Sequence, residues 1–287
     1  MKTYSIPRNI WRAVYPLLIF IAIPAFVGAA AGAIYSANLV ISDIGAITDT
    51  DMLTEQLEQW ATKYTLLLSL IGQTLCLAPF LPIWLSMRKS IPRYQEEPRP
   101  IKMFACLMLG FVGFNLLLSS IVAITGIDRF FPSYEEIMAV LTGSNIVVRV
   151  LFVVVAAPII EEICFRGIIL GRLLSWTKAW VAVLIQAALF GIAHFNLLQG
   201  LYTFVIGIAF GLLYVRFRTL WMCIIGHFAF NLPGFILSLI EEGGVDIAPW
   251  VILIPGVILF AAGGYFLLKH PVAVPVEAPR TDAQLST

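Results

Sequence analysis

The sequence predicts an all-α, polytopic membrane protein with about eight transmembrane helices. Its 287 residues are 60% hydrophobic and 12% charged, with a mean hydropathy of +0.92. Soluble domains are nearer about 45–50% apolar and about 25% charged. Crossing a bilayer takes roughly 20 apolar residues, and runs close to that length recur along the whole chain. Composition and periodicity together therefore place the chain in a membrane.

Eight apolar segments are predicted to span the bilayer. In chain order they cover residues 14–35, 64–87, 103–127, 146–174, 179–195, 201–215, 220–240 and 247–268. The fifth and sixth are short and closely joined, which favours a tight hairpin. The first follows basic residues, as a signal peptide would. Its apolar stretch is longer than the roughly 7–15 residues of a signal sequence, so a retained anchor is predicted.

The distribution of basic residues predicts the orientation. Most lysines and arginines lie in the loops that share a side with the N-terminus, such as the cluster at Arg88 and Lys89. Cytoplasmic loops are enriched in these residues, so both termini are predicted to be cytoplasmic. The compact loops and short tail favour a bacterial plasma membrane. Net charge is only +1, which argues against a nucleic-acid partner.

Three regions are predicted from the pattern of segments. Residues 1–140 hold the first three spans and their loops, residues 141–270 form a helical core with the polar motifs, and residues 271–287 form a disordered tail. Two short surface helices are expected in outer loops. One covers residues 53–64, and the other begins at a capping box made by Ser133 and Glu136.

The fourth span carries an unusual set of charges. Glu161 and Glu162 follow an apolar run, and Arg166 lies one helical turn further on. Charged residues at membrane depth are unfavourable by about 2.5–3.5 kcal/mol on insertion scales, and by default they mark function. Glu162 and Arg166 are four residues apart, the spacing of a helical ion pair. Glu161 points about 100° away from Glu162, so we expect it to face a cavity.

Two further spans carry candidate partners for Glu161. His227 and Asn231 are four residues apart and share a helix face, and Phe190 and His194 repeat that spacing on the fifth span. A rise of 1.5 Å per residue places the two histidines, Asn231 and Glu161 roughly 10–24 Å from the cytoplasmic helix ends, with His194 deepest. Gly191 could allow a kink or the close packing that brings His194 level with the others.

Several readings of these residues remain open. A lone His or Asn in a membrane helix often stabilises helix packing by a hydrogen bond to a neighbouring helix. A proton-coupled transporter also places Glu, His and Arg within the bilayer. A non-catalytic scaffold or immunity protein could hold a peptide in the same cavity. Asn231 favours an enzyme, because an amide does not titrate but can stabilise an oxyanion.

Three motifs resemble those of the type II CAAX prenyl endopeptidases, also called the CPBP group (CAAX proteases and bacteriocin-processing enzymes). Residues 161–166 read EEICFR and resemble the family's EExxxR motif; residues 190–194 match FxxxH, and residues 227–231 match HxxxN/D. The motifs occur in the family's order on three separate spans. The resemblance covers residues 147–233.

The resemblance implies an intramembrane endopeptidase whose catalytic cavity opens to the cytosol. It implies that Glu161 is the general base for a water, that His194 helps to position that water, and that His227 and Asn231 stabilise the oxyanion. Its substrates would be membrane-associated peptides or proteins, such as prenylated CAAX tails or bacteriocin-like precursors.

The remaining motif residues, Glu162, Arg166 and Phe190, would support the site. A metal-free mechanism is expected, because no HExxH motif is present. The alternative is a zinc ion held by Glu161, His194 and His227, the three ligands typical of a catalytic zinc site.

Overall fold

The computed structural model describes residues 5–42, 50–88 and 101–269, and these residues form helices and short connections without a strand. The helices run in chain order as follows: α1 Ile6–Ser42, α2 Thr50–Arg88, α3 Ile101–Thr125, α4 Pro132–Thr142, α5 Ile146–Arg149, α6 Ala157–Glu162, α7 Gly171–Leu173, α8 Ala179–Ile192, α9 Leu197–Phe217, α10 Leu220–Glu242 and α11 Pro249–Lys269. The all-α fold predicted from composition is confirmed.

The short helices α5, α6 and α7 belong to one continuous helical run over residues 146–173, which we call the central helix. Two π-helical segments, Val150–Ala156 and Ile163–Leu170, join them. Six other helices in the described part of the chain are each long and apolar enough to cross a membrane, and α8 is a shorter apolar helix. All eight predicted apolar segments are therefore helical.

The two predicted surface helices differ from the prediction in their details. The surface helix expected at residues 53–64 is continuous with the second span in α2. The capping box at Ser133 is wrong, since α4 begins at Pro132 and its N-cap is Phe131, without a side-chain cap. Proline is favoured at the first helical position, which puts Ser133 inside the first turn. The tail at residues 271–287 lies outside the described residues.

The central helix is the core of the molecule. It packs against α1, α2, α8, α9 and α10, and the side chains of its π-helical segment Ile163–Leu170 are all buried. Arg149 and Glu242 join one end of the central helix to the end of α10 through a double ion pair with N–O distances of 2.8 and 2.6 Å. The two helices are therefore antiparallel and in fixed register.

Helices α3 and α11 pack together through glycines. A Cβ at Gly113 would overlap the backbone of Phe260, and a Cβ at Gly263 would overlap that of Gly110. Because lipid tails are as apolar as leucine, membrane helices associate by such close van der Waals packing rather than by the hydrophobic effect. This contact holds α11 against the bundle.

Replacing Gly263 with valine is expected to destabilise the protein by about 1–3 kcal/mol, because the added side chain forces α3 and α11 apart. Thermal unfolding in detergent would measure the loss. Gly264 is the matched control, since a Cβ there meets no atom within 4 Å. Equal melting temperatures for Gly263→Val and Gly264→Val would contradict the assigned contact.

Candidate active site

The buried carboxylate of Glu162 is shared by two partners. Arg166 donates from Nη1 to Glu162 Oε1 at 2.8 Å, and His227 Nδ1 lies 2.8 Å from the same oxygen. Glu162 and Arg166 are both fully buried. The ion pair expected from the sequence is present, but the contact to His227 was not foreseen. The two residues are 65 positions apart, and no local spacing could reveal the contact.

Glu161 lies on the other side of the His227 ring. Its Oε2 is 3.8 Å from His227 Nε2, and both side chains are nearly buried. Because Nδ1 is held by a carboxylate, it carries a proton, which leaves Nε2 directed at Glu161. A separation of 3.8 Å is too long for a direct hydrogen bond. This pair is the candidate centre of the arrangement.

His194 lies just beyond the end of α8, in the turn that leads to α9. Its Nδ1 donates to the Phe190 carbonyl at 2.8 Å, so in the neutral ring Nε2 is a free acceptor. The turn closes tightly because Gly191 packs on Gly200, where a Cβ would meet the carbonyl oxygen at 2.6 Å. Phe195 adopts a positive φ of 52°. The close packing expected at Gly191 is present.

An aromatic frame holds the two histidines and the arginine. Phe190 contacts His194 edge-on, with ring centroids 4.9 Å apart, and lies 6.1 Å from the His227 ring. The Arg166 guanidinium lies 4.4 Å from the centre of the Phe190 ring. Phe210 stacks on His227 at 5.1 Å. Phe190 thus touches three of the motif residues, which explains why a phenylalanine is useful at this position.

Asn231 binds the central helix rather than another motif side chain. Its Nδ2 donates to the Val153 carbonyl at 2.8 Å. In a π-helix that carbonyl would accept from the residue five positions later, which is Pro158, a residue without an N–H. Asn231 therefore replaces a missing backbone donor. One N–H of its amide group remains for another acceptor.

The part of the chain that carries the candidate site is similar to a known protein family. The sequence profile of the family described as Type II CAAX prenyl endopeptidase Rce1-like matches residues 143–233. This segment is therefore similar to the Rce1-like family. The match contains the central helix from its first turn, as well as α8, α9 and the part of α10 that carries His227 and Asn231. The resemblance read from the three motifs is confirmed.

A similar protein is known from Bacillus subtilis strain 168, where it is named as a membrane peptidase, YdiL. It is 34% identical over 114 residues, which are 40% of this chain and 46% of the relative. The similarity therefore spans just under half of that protein. No solved structure matches the chain. Helices α1–α3 and α11 lie outside the family match.

The zinc alternative does not fit the Rce1-like site. In the part of the chain that the structure describes, no three His, Cys, Asp or Glu side chains are grouped to hold a metal ion. We therefore derive no step through a metal.

Replacing Asn231 with leucine is expected to destabilise the Rce1-like segment by about 1–3 kcal/mol, because the Val153 carbonyl is left without a donor. Adding Pro158→Ala supplies a backbone N–H at residue 158 and should restore most of that loss. Melting temperatures of the two single variants and the double variant measure both effects. If Pro158→Ala gives no recovery, the Val153 carbonyl does not depend on Asn231.

Proposed function

We propose that this protein is a membrane-embedded peptidase that uses a glutamate-activated water. The observation that supports it best is the placement of Glu161 Oε2 3.8 Å from His227 Nε2, with both side chains at least 90% buried. General bases act at hydrogen-bond range of the proton that they remove, directly or through one water. The family match over residues 143–233 and the similarity to a membrane peptidase support the same activity.

The proposed reaction begins with a water bound at Glu161. Glu161 removes a proton as the water oxygen attacks the scissile carbonyl carbon, and His194 Nε2 positions the water. In its imidazolium form His227 can donate from Nε2 to the developing oxyanion while Nδ1 stays on Glu162. The free N–H of Asn231 is the second proposed donor. Glu161 then returns the proton to the leaving amine, and the peptide bond breaks.

Burial is proposed to strengthen the electrostatic interactions of the catalytic groups. Glu162 and Arg166 fix the His227 ring before substrate arrives, so little reorganisation is needed during the reaction. Electrostatic stabilisation by preorganised donors is worth more where bulk water is excluded. Glu162 and Arg166 are therefore proposed to position the His227 ring rather than to touch the substrate.

The proposed substrates are membrane-associated peptides or proteins. Prenylated CAAX tails and bacteriocin-like precursors are the two classes that the family resemblance supports, and the site is proposed to be reached from the cytosol. The proposed location is a bacterial plasma membrane with both termini in the cytoplasm. Reporter fusions to each terminus test this topology, and an external signal from either one contradicts it.

Peptide cleavage by purified protein in liposomes tests the activity. Wild type is compared with Glu161→Gln on two probes, a farnesylated CAAX reporter and a library of quenched-fluorescence membrane peptides, each with and without a chelator. Cleavage that survives chelation and is lost in Glu161→Gln supports the proposal. Loss on chelation with recovery on added zinc would replace the mechanism, and uncleaved probes would favour a peptide-sequestering scaffold.

A further inference from the structure

A groove with a volume of about 540 Å³ lies beside His194, between α1, α2 and the turn that joins α8 to α9. Ala193 and Phe195, the two neighbours of His194 in the chain, form part of its wall. Phe20 and Pro24 contribute from α1. Ligand sites commonly have volumes of about 300–1,000 Å³. The groove is therefore large enough for a ligand, and it lies next to the turn that carries His194.

The α2 side of this groove carries a polar stripe made of Thr65, Ser69 and Gln73. The three residues are spaced four apart, so they lie on one helix face. No described residue hydrogen-bonds to the Thr65 or Ser69 hydroxyl, and the buried Gln73 Oε1 has no partner among the described atoms.

Other hydroxyls in the same helices behave differently. Thr74, the residue after Gln73, donates to the carbonyl four residues earlier at 2.7 Å, as Ser36 and Thr203 do in α1 and α9. Such a bond satisfies a hydroxyl inside a membrane helix. The stripe on α2 therefore presents free donors and acceptors to the groove in an otherwise apolar setting.

The stripe matches the repeat of an extended peptide. Residues four apart on a helix are separated by about 6 Å along its axis. Alternate residues of an extended strand are separated by about 6.6–6.8 Å and present their backbone groups on the same side. A peptide drawn out for cleavage exposes unpaired backbone N–H and C=O groups, which are strongly unfavourable within a bilayer. The three polar side chains are placed to pair with them.

We propose that this groove binds the extended segment of the substrate next to the scissile bond, with backbone groups paired to Thr65, Ser69 and Gln73. This inference rests on the proposed peptidase function. A lipid chain would fill the apolar part of the groove, but it has no groups that can hydrogen-bond to the polar stripe. The groove is also in contact with the site through rings, because Phe20 packs on Phe165 and Phe165 on Phe190.

Kinetics on a quenched-fluorescence membrane peptide cleaved by wild type test the assignment. Thr65→Val, Ser69→Ala and Gln73→Leu are each expected to lower kcat/KM about 2- to 10-fold, the range for one hydrogen bond, mainly by raising KM. The triple variant is expected to lose about 30-fold or more. Thr74→Val is the matched control and is expected to match wild type, because its hydroxyl is bonded within α2.

A second measurement uses the wild-type protein, so it does not depend on how the variants fold. Replacing single amides of the reporter with esters removes one N–H at a time. Esters two and four residues from the scissile bond are expected to lower kcat/KM in wild type and to have a smaller effect in Ser69→Ala. Equal ester effects in both proteins, or a well-folded triple variant as active as wild type, would overturn the groove assignment.

The two proposals fail in different ways. If wild type cleaves the reporter and Glu161→Gln does not, the peptidase stands even when the stripe variants have no effect. If wild type cleaves none of the probes, the groove loses its assigned substrate together with the function.

Discussion

Replacing Glu161 with glutamine is expected to lower peptide hydrolysis by about 10²–10⁴-fold, the usual contribution of a positioned general base. Glutamine has nearly the same shape but cannot accept the proton of the attacking water. Among the described residues the ion-pair partner of Glu161 is His227, at 3.8 Å, so the change breaks no close ion pair there and the protein should still fold. Initial cleavage rates in liposomes, normalised to folded protein, measure the effect.

Glu135→Gln provides the control, since Glu135 is an exposed glutamate on the surface helix α4. It removes the same charge outside the site and is expected to cleave at the wild-type rate. A Glu161→Gln protein within about threefold of wild type would falsify the proposed role of Glu161 as base. In that case the water would need another proton acceptor, and His194 Nε2 would be the first to examine.

Replacing Glu162 with methionine is expected to cause the largest loss of stability, about 3–5 kcal/mol, because it leaves a buried guanidinium without its carboxylate. Arg166 is fully buried, and its hydrogen bond to the Gly207 carbonyl is long at 3.4 Å. Arg166→Met should cost less, since Glu162 keeps His227 as a partner. Membrane accumulation and melting temperature in detergent report both changes.

The double variant Glu162→Met/Arg166→Met separates stability from catalysis. Removing both charges is expected to recover part of the stability lost in Glu162→Met, because no unpaired ion remains. Activity should not return, since the His227 ring has lost the acceptor that orients it. Wild-type melting temperatures for both single variants would contradict the buried pair, and an active double variant would contradict the orienting role of Glu162.

Local patterns were enough to predict the helices and part of the site. Glu162 and Arg166 contact one another as their spacing predicts, because both lie on one helix face. His194 and Phe190 are similarly joined through the Phe190 carbonyl. These contacts lie within one turn, where helix geometry alone fixes the neighbours. The roles of Glu161, His194, His227 and Asn231 in catalysis stay predictions until activity is measured.

Contacts between helices could not be predicted in the same way. The bond from His227 to Glu162, the bond from Asn231 to Val153 and the ion pair of Arg149 with Glu242 each depend on how two helices pack. Arg149, for example, is buried and ion-paired with Glu242. The π-helical segments could not be predicted either. The apolar residues of these segments have no strict helical period, so the sequence does not indicate where the hydrogen-bond register of the helix changes.

The short helix α8 has a consequence for the surrounding lipid. Its 14 residues extend only about 21 Å, whereas the hydrocarbon layer is about 30 Å thick. The turn after α8 is covered by α4, through the bond from Asn196 to Ser133 at 2.8 Å. Hydrophobic mismatch of this kind is accommodated by local thinning or tilting. The acyl-chain length of the host membrane is therefore expected to affect the packing of the turn that carries His194. A thinner bilayer matches the length of α8 better than a thicker one.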